Sequence, residues 1–272
     1  MIVQSAPAGQ PHFIITQVDH ARMAGRLAEA FGNAEFAPLE PREPLVFMVA
    51  HHDEGWAALD DQAKRDPNTG LPYHLTQTPL ADLLATGTGS PDFNERHHPL
   101  AGLISSMHTW GLYHGRYGLS DFVFIDRVPP EMRPQVDAML NGELQRQERL
   151  KAHLRSDPAT ARFADEAHVF TCYKLLQFFD TLSLYFQTTH AEARREAQFK
   201  NVPRAMGDDV TVTIRPTGDG RYALSPFPFA GDALTVWVEG RYLTPQPEEV
   251  DLAQLLRNTP KVKQEYMLVR PG

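Results

Sequence analysis

Apolar residues recur at two different periods along the chain, and the change of period predicts where helices give way to strands. Val18, Met23, Leu27 and Phe31, interleaved with Ala21, Ala24 and Ala28, follow helical spacing. Thr16 can cap that helix by accepting a bond from a free backbone N–H, and Gly32-Asn33 closes it. Residues 13–15, just ahead, form a short β-like run. A second helix is predicted over about 43–52, with a continuation past Gly55 to Leu59 left open. Residues 99–114 read as a helix, and so do 130–155, with a polar face. The stretch 164–187 is apolar on most sides, so that helix is expected to be buried. After about Arg204 the period shortens. Residues 210–214, 222–224 and 234–238 alternate or cluster β-formers, and Gly218-Asp219-Gly220 marks a hairpin turn. A short amphipathic helix over 252–256 and a last strand over 266–269 complete the pattern.

Residues 60–97 interrupt it. Asp66-Pro67-Asn68-Thr69-Gly70-Leu71-Pro72 is a dense turn signal, 87–91 is another, and a short helix around 80–84 lies between them. An irregular insert is expected there, either a lid or substrate loop or a solvated excursion. The fold class predicted is mainly α: a helical body over residues 12–200 carrying a small β-rich C-terminal appendage over 205–272, α+β overall.

Composition narrows the function classes. A chain of 272 residues, 42% hydrophobic and 22% charged, can bury a full core. With 26 basic against 34 acidic residues the net charge is −8, which argues against nucleic-acid binding through a broad basic surface. Cys172 is the lone cysteine, so no internal disulfide forms, and its apolar helix suits a core residue better than a nucleophile. The first dozen residues lack the basic and long apolar regions of a signal peptide, and no stretch is apolar enough to span a bilayer. A cytoplasmic protein acting on a small molecule is expected, with no membrane partner. The β-rich tail offers a route to dimerisation or partner contact.

The candidate chemistry lies in His51-His52-Asp53-Glu54, which follows the apolar run 45–50. Adjacent His52 and Asp53 can aim an imidazole and a carboxylate at one ion. His20 on the first helix and Asp180 in the apolar helix complete a pattern H…HD…D. Imidazole nitrogen and carboxylate oxygen suit Fe, Mn, Zn or Mg. Taken singly, each residue has an ordinary alternative; Asp180, for instance, can pair with Lys174 or an arginine. A buried carboxylate needs a cation or metal partner. No glycine-rich phosphate loop is present, since Gly87-Thr88-Gly89 lacks the later glycine and the lysine.

H…HD…D carried on helices resembles the HD-domain superfamily of metal-dependent phosphohydrolases and related diiron oxygenases. The stretches Thr16-Gln17-Val18-Asp19-His20-Ala21-Arg22 and Phe178-Phe179-Asp180-Thr181-Leu182 resemble its first and last ligand helices. Together with His52-Asp53-Glu54-Gly55-Trp56, Ser105-Ser106-Met107-His108 and Pro226-Phe227-Pro228-Phe229, they also resemble an uncharacterised bacterial family of HD-like proteins of about this size. The resemblance implies one or two divalent ions on His20, His52, Asp53 and Asp180, with His108 the best further ligand. For a second ion it points to His98 or His74, with His97 and His114 also open. His98 and His108 are ten residues apart, about 15 Å along a straight helix, so both cannot ligate one ion. Many HD proteins carry a lysine soon after the His-Asp pair, where this chain has Glu54-Gly55-Trp56.

A hydrolase acting on a small phosphorylated molecule is the lead expectation, with His108 or Glu54 orienting or deprotonating water. Arg22 and Arg116 are candidate anion clamps, while Trp56 and Tyr113 can wall a pocket for an apolar or ring-bearing substrate. A diiron oxygenase and a non-catalytic metal-containing binding or regulatory protein are the alternatives.

Overall fold

The computed structural model describes residues 1–271. Its organising element is one seven-stranded sheet, curled into a half-barrel, with strand order β1-β2-β6-β7-β5-β4-β3. Strands β1 (Ile2–Val3) and β2 (His12–Ile15) come from the N-terminus. Strands β3 (Ala197–Ala205), β4 (Asp208–Gly218), β5 (Arg221–Ser225), β6 (Ala233–Leu243) and β7 (Val262–Val269) come from the C-terminal part. Neighbours are antiparallel except β5 and β7, which run parallel.

The helices are α1 (Gln17–Ala30), α2 (Arg42–Ala50), α3 (Ala57–Asp61), α4 (Leu80–Thr86), α5 (Gly89–His97), α6 (Pro99–Tyr113), α7 (Arg133–Ser156), α8 (Glu166–Thr188) and α9 (Leu252–Asn258). Thr16 caps α1, its Oγ1 accepting from the Asp19 N–H at 3.0 Å. The long helices α6, α7 and α8 lie within a few residues of their expected bounds.

The expectation of a mainly α bundle with a small β appendage is overturned. With 49% of residues helical and 20% in strands, this is an α+β fold whose sheet is central. The N-terminal segment pairs directly with the C-terminal part, His12 opposite Leu243 and Ile14 opposite Arg241. The physical reason lies in the one-sided burial of the strands. Val236 and Val238 on β6, and Val212 and Ile214 on β4, alternate with outward residues and need an apolar cover. Helices α1 and α8 provide it through Met23, Leu27, Phe178, Phe179 and Phe186, in one core continuous with those strand residues. Phe186 on α8 stacks on Tyr266 of β7 at 4.4 Å and meets Tyr222 of β5 edge-on at 4.8 Å. Polar β3 and the two-residue β1 carry no clear period-2 signal, which hid the sheet's true extent.

Residues 60–97 are also more ordered than the turn signals suggested. The Asp66 carboxylate accepts from the Asn68 N–H and the Thr69 hydroxyl, which closes that turn locally. Helix α5 then begins at Gly89, inside the second turn signal. A Cβ on Gly89 would stand 2.8 Å from the Gly55 Cα, and one on Gly55 would stand 2.6 Å from the Ser90 N. This glycine-on-glycine crossing lets the segment after His52-Asp53 lie against the start of α5.

Because α8 and the sheet share one core, Phe186→Ala is expected to destabilise the whole chain by about 3–5 kcal/mol. Helical circular dichroism and the fluorescence of Trp237 on β6 should lose their signals at the same, lowered denaturant concentration. Separate transitions for the two probes would contradict the shared core.

Candidate metal centre

Three helices and one turn bring the ligand candidates together. His20 lies one turn into α1, and Asp180 lies in the middle of α8. Helix α2 ends at Ala50, and the chain turns through His51 (φ −128°) and Asp53 (φ −113°) before a short 3-10 turn over Glu54–Trp56. That turn lets the consecutive His52 and Asp53 face one point, which successive positions of a continuing helix would not do. His20, His52, Asp180 and His108 are all buried, and Asp53 nearly so.

The hydrogen bonds set the imidazole tautomers. His52 Nδ1 lies 2.7 Å from the Val49 carbonyl oxygen and must donate to it, so Nε2 carries the lone pair. That Nε2 is buried with no hydrogen-bond partner among the described residues. His20 Nδ1 donates to Gln187 Oε1 at 2.6 Å, with the Ser183 hydroxyl at 3.0 Å, so its Nε2 also faces inward.

Four potential ligand atoms therefore converge. His20 Nε2 lies 3.2 Å from Asp180 Oδ1 and 3.8 Å from Asp53 Oδ2; His52 Nε2 lies 3.6 Å from Asp53 Oδ2 and 3.8 Å from Asp180 Oδ1. Lone pairs at such separations repel unless a proton or a metal ion stands between them. Ligand atoms about 2.0–2.2 Å from a shared ion are themselves roughly 3–4 Å apart, the range of these four nitrogen–oxygen separations. Buried His/Asp groups able to hold a metal ion are thus a property of the fold: His20, His52 and Asp53 in one, His52, His108 and Asp180 in the other. The two groups share His52, which has only Nε2 to offer.

Charge follows the same geometry. Burial opposes ionisation of Asp180, but the His20 hydrogen bond and the imidazoles of His52 and His108 outweigh it, holding the carboxyl well below the usual range. Burial alone would lower the His20 pKa; the Asp180 hydrogen bond and the charges of Asp180 and Asp53 raise it instead. Burial pushes His108 down to about 4, so it is neutral at pH 7. Its Nδ1 lies 2.9 Å from the Gln177 amide nitrogen, while Gln177 Oε1 is buried without a partner among the described residues. The reversed carboxamide would accept from Nδ1–H and free the His108 Nε2 lone pair.

The supporting polar residues escape a reading by hydrophobicity alone, although a signal exists. Gln177, Asp180, Ser183 and Gln187 recur at intervals of three, three and four on an otherwise apolar helix, a polar stripe on one face. Such a stripe on a buried helix marks partners that hold a functional group in place.

Other candidates lie elsewhere. Glu54 accepts from His51 and Arg22 at 2.9 and 3.1 Å, and lines a neighbouring cleft with Asp19 and Asp60. His98 caps α6, its Nδ1 accepting from the Leu100 N–H at 3.1 Å. His74 Nδ1 accepts from the Val3 N–H at 3.0 Å, tying the insert to β1. His97 pairs with Glu43, and His114 stacks on Trp110 at 3.8 Å. Lys174, the alternative partner for Asp180, binds Asp209 at 2.6 Å instead. The buried Cys172 thiol is pushed up to about 12, which keeps it protonated and unreactive.

A cavity of about 550 Å³ opens onto His52, Asp53 and His108, with Trp56, Tyr113 and Arg116 in its wall. A larger groove of about 900 Å³ runs along α5 and α7, but Arg146 there already pairs with Asp92, Glu95 and Glu143. Arg116 sits on an unusual backbone. Gly115, Arg116, Tyr117 and Gly118 all have positive φ, of 62°, 52°, 56° and 86°, forming one left-handed turn after α6. For Arg116 and Tyr117 this costs on the order of 1 kcal/mol or more each. Tyr117 is held there by Trp110 and Tyr173, with ring centroids 4.8 and 5.1 Å away.

A family model described as "Protein of unknown function (DUF3891)" matches residues 1–245, nine-tenths of the chain. The chain belongs to this family. No curated protein and no solved structure matches it. The matched span takes in every residue of the centre and most of the sheet. Among the described residues, no helix is long and apolar enough to cross a membrane.

The tie from His74 to β1 has a pH signature. Burial, and then the charge of the chain's amino terminus, lower the His74 pKa from 6.5 to about 4. Its neutral form therefore stabilises the fold fully above about pH 6.5, and that contribution is lost as the pH falls toward 4. Denaturant titrations of chelator-treated protein should show His74→Asn losing about 1 kcal/mol less stability than wild type between pH 7 and 5, allowing for partial exposure. Parallel losses in the two proteins would exclude this role.

Proposed function

We propose that this protein is a metal-dependent hydrolase acting on a small phosphorylated molecule, with one divalent ion held by His20, His52, Asp53 and Asp180. The observation that supports this most is the buried His52 Nε2, a lone pair without a partner among the described residues, facing two carboxylate oxygens and beside the His20 imidazole. An all-nitrogen-and-oxygen donor set of this kind suits Fe, Mn, Zn or Mg. When bound, such an ion supplies Lewis acidity to a phosphoryl oxygen and to an attacking water.

The chain's own residues supply the rest. His20 and His52 are fixed in tautomer and orientation by Gln187 and by the Val49 carbonyl, so the centre needs little rearrangement on binding. Neutral His108 can accept a hydrogen bond from water, or serve as a fifth ligand, whereas Glu54 is engaged by His51 and Arg22. The cavity beside His52 and Asp53 gives a substrate access while Trp56 and Tyr113 limit water. The resemblance to the HD superfamily points to the same chemistry. A single usable nitrogen on His52, with His74 and His98 hydrogen-bonded elsewhere, favours one ion over the diiron alternative.

Protein purified without chelator, or loaded with Mn²⁺, Zn²⁺ or Fe²⁺, should hold about one ion per chain. At a thousandfold excess over Kd the ion should stabilise the fold by about 4 kcal/mol, read as a raised Tm. His52→Ala and Asp180→Ala should lose both the ion and the shift, together with hydrolysis of phosphate monoesters. A folded protein that takes up no ion under any loading condition would remove the basis for the proposal.

A further inference from the structure

We propose that Arg116 is the anion-binding residue of the cavity, and that its ligand is a phosphate monoester of an apolar, ring-bearing alcohol. The reaction rests on the hydrolase reading above; the binding stands on three observations of its own.

The first is charge. Among the described residues, Arg116 is the only cationic side chain lining the cavity, and Asp53 is the only carboxylate. One guanidinium can meet one phosphate with paired hydrogen bonds. A di- or triphosphate would leave further charge against a wall that offers no second cation.

The second is the wall. Trp56, Leu83, Leu112, Phe122 and Phe124 form it, and Leu112 and Phe122 are 39% and 49% exposed, apolar surface open to a ligand. Of the seven hydroxyls that also line the cavity, three are engaged as donors. Thr78, Thr86 and Thr109 donate to backbone carbonyls, and the Ser90 and Ser120 oxygens accept from backbone N–H groups. The hydroxyl protons of Thr76, Ser90, Tyr113 and Ser120 have no acceptor among the described residues, but the larger part of the wall is apolar and suits a flat ring, which needs no such partner.

The third is the left-handed turn. It carries Arg116 against its backbone preference and sets the guanidinium 4.0 Å from Asp180 Oδ2, beside the metal-competent groups. Strained conformations of this kind persist where the surrounding structure holds them, and they cluster at ligand sites. A phosphate between Arg116 and the centre would have its ester oxygen turned toward the aromatic wall. Hydrolysis then forms a P–O bond from water and breaks the ester P–O bond. One water proton passes to the leaving oxygen and the other stays on the phosphate, giving the free alcohol and hydrogen phosphate.

The test uses the full chain loaded with Mn²⁺ and titrated calorimetrically with 1-naphthylmethylphosphonate, ribose 5-phosphate and ATP, with turnover of 1-naphthyl phosphate followed on the same samples. The phosphonate should bind at least about tenfold tighter than the other two, and Arg116→Gly should weaken it by about tenfold to a hundredfold with metal content intact. Glycine is at ease at φ +52°, so Arg116→Gly should keep or raise the Tm, and Arg116→Lys should recover part of the binding. Arg116-dependent phosphonate binding without turnover would support the anion site and sink the hydrolase reading. Equal binding of ribose 5-phosphate or ATP, unchanged binding in Arg116→Gly, or a Tm lowered by that variant would overturn the assignment even if hydrolysis proceeds.

Discussion

Two imidazole nitrogens and two carboxylate oxygens, each nitrogen within 4 Å of both oxygens, are the constraint around which this molecule is arranged. Such a cluster is unfavourable without positive charge, since each group has left water and faces another acceptor. In the protein alone a proton can serve, and the raised pKa of His20 beside Asp180 is how the fold accommodates it. A metal ion held there would take the place of that proton. Gln187, Ser183, Gln177 and the Val49 carbonyl all hold the ring nitrogens that do not face the cluster.

The rest of the fold keeps those elements from drifting apart. Helices α1 and α8 carry His20 and Asp180 on one side and cover the sheet with the other. The apolar contacts that stabilise the sheet therefore also set the separation of His20 and Asp180. The His52-Asp53 turn is fixed differently, by the crossing of Gly55 and Gly89, where any larger side chain would push α5 away. The left-handed turn after α6 shapes the cavity, with Tyr117 packed between Trp110 and Tyr173 while its neighbour Arg116 lines the wall, 4.0 Å from Asp180 Oδ2. Helices thus hold His20, His108 and Asp180, a glycine-locked turn holds His52 and Asp53, and a strained loop holds Arg116 at the cavity wall.

Much of the centre is legible in the order of amino acids. His20, His52, Asp53, Asp180 and His108 stand out because a histidine or aspartate on an apolar helix face needs a partner, and five such residues need a common one. Glu54 does not follow them, because a position two residues after His52 says nothing about direction; the 3-10 turn points it outward to Arg22. His74 and His98 are credible second ligands by residue type alone, and each proves to be a backbone hydrogen-bond acceptor. The polar stripe on α8 is visible at its three- and four-residue spacing, but the strong apolar character around it hides it.

Local patterning by itself determined most of the helices, the main strands, and the residue types that converge at the centre, because helix and strand periods and the cost of a buried charge are properties of neighbouring residues. Only the tertiary structure decided that residues at the two ends share one sheet, that His52 and Asp53 face inward while Glu54 faces outward, and that Arg116 joins the cavity. Those outcomes depend on contacts between residues far apart in the chain and on backbone turns of positive φ, and neither leaves a periodic mark in the order of amino acids.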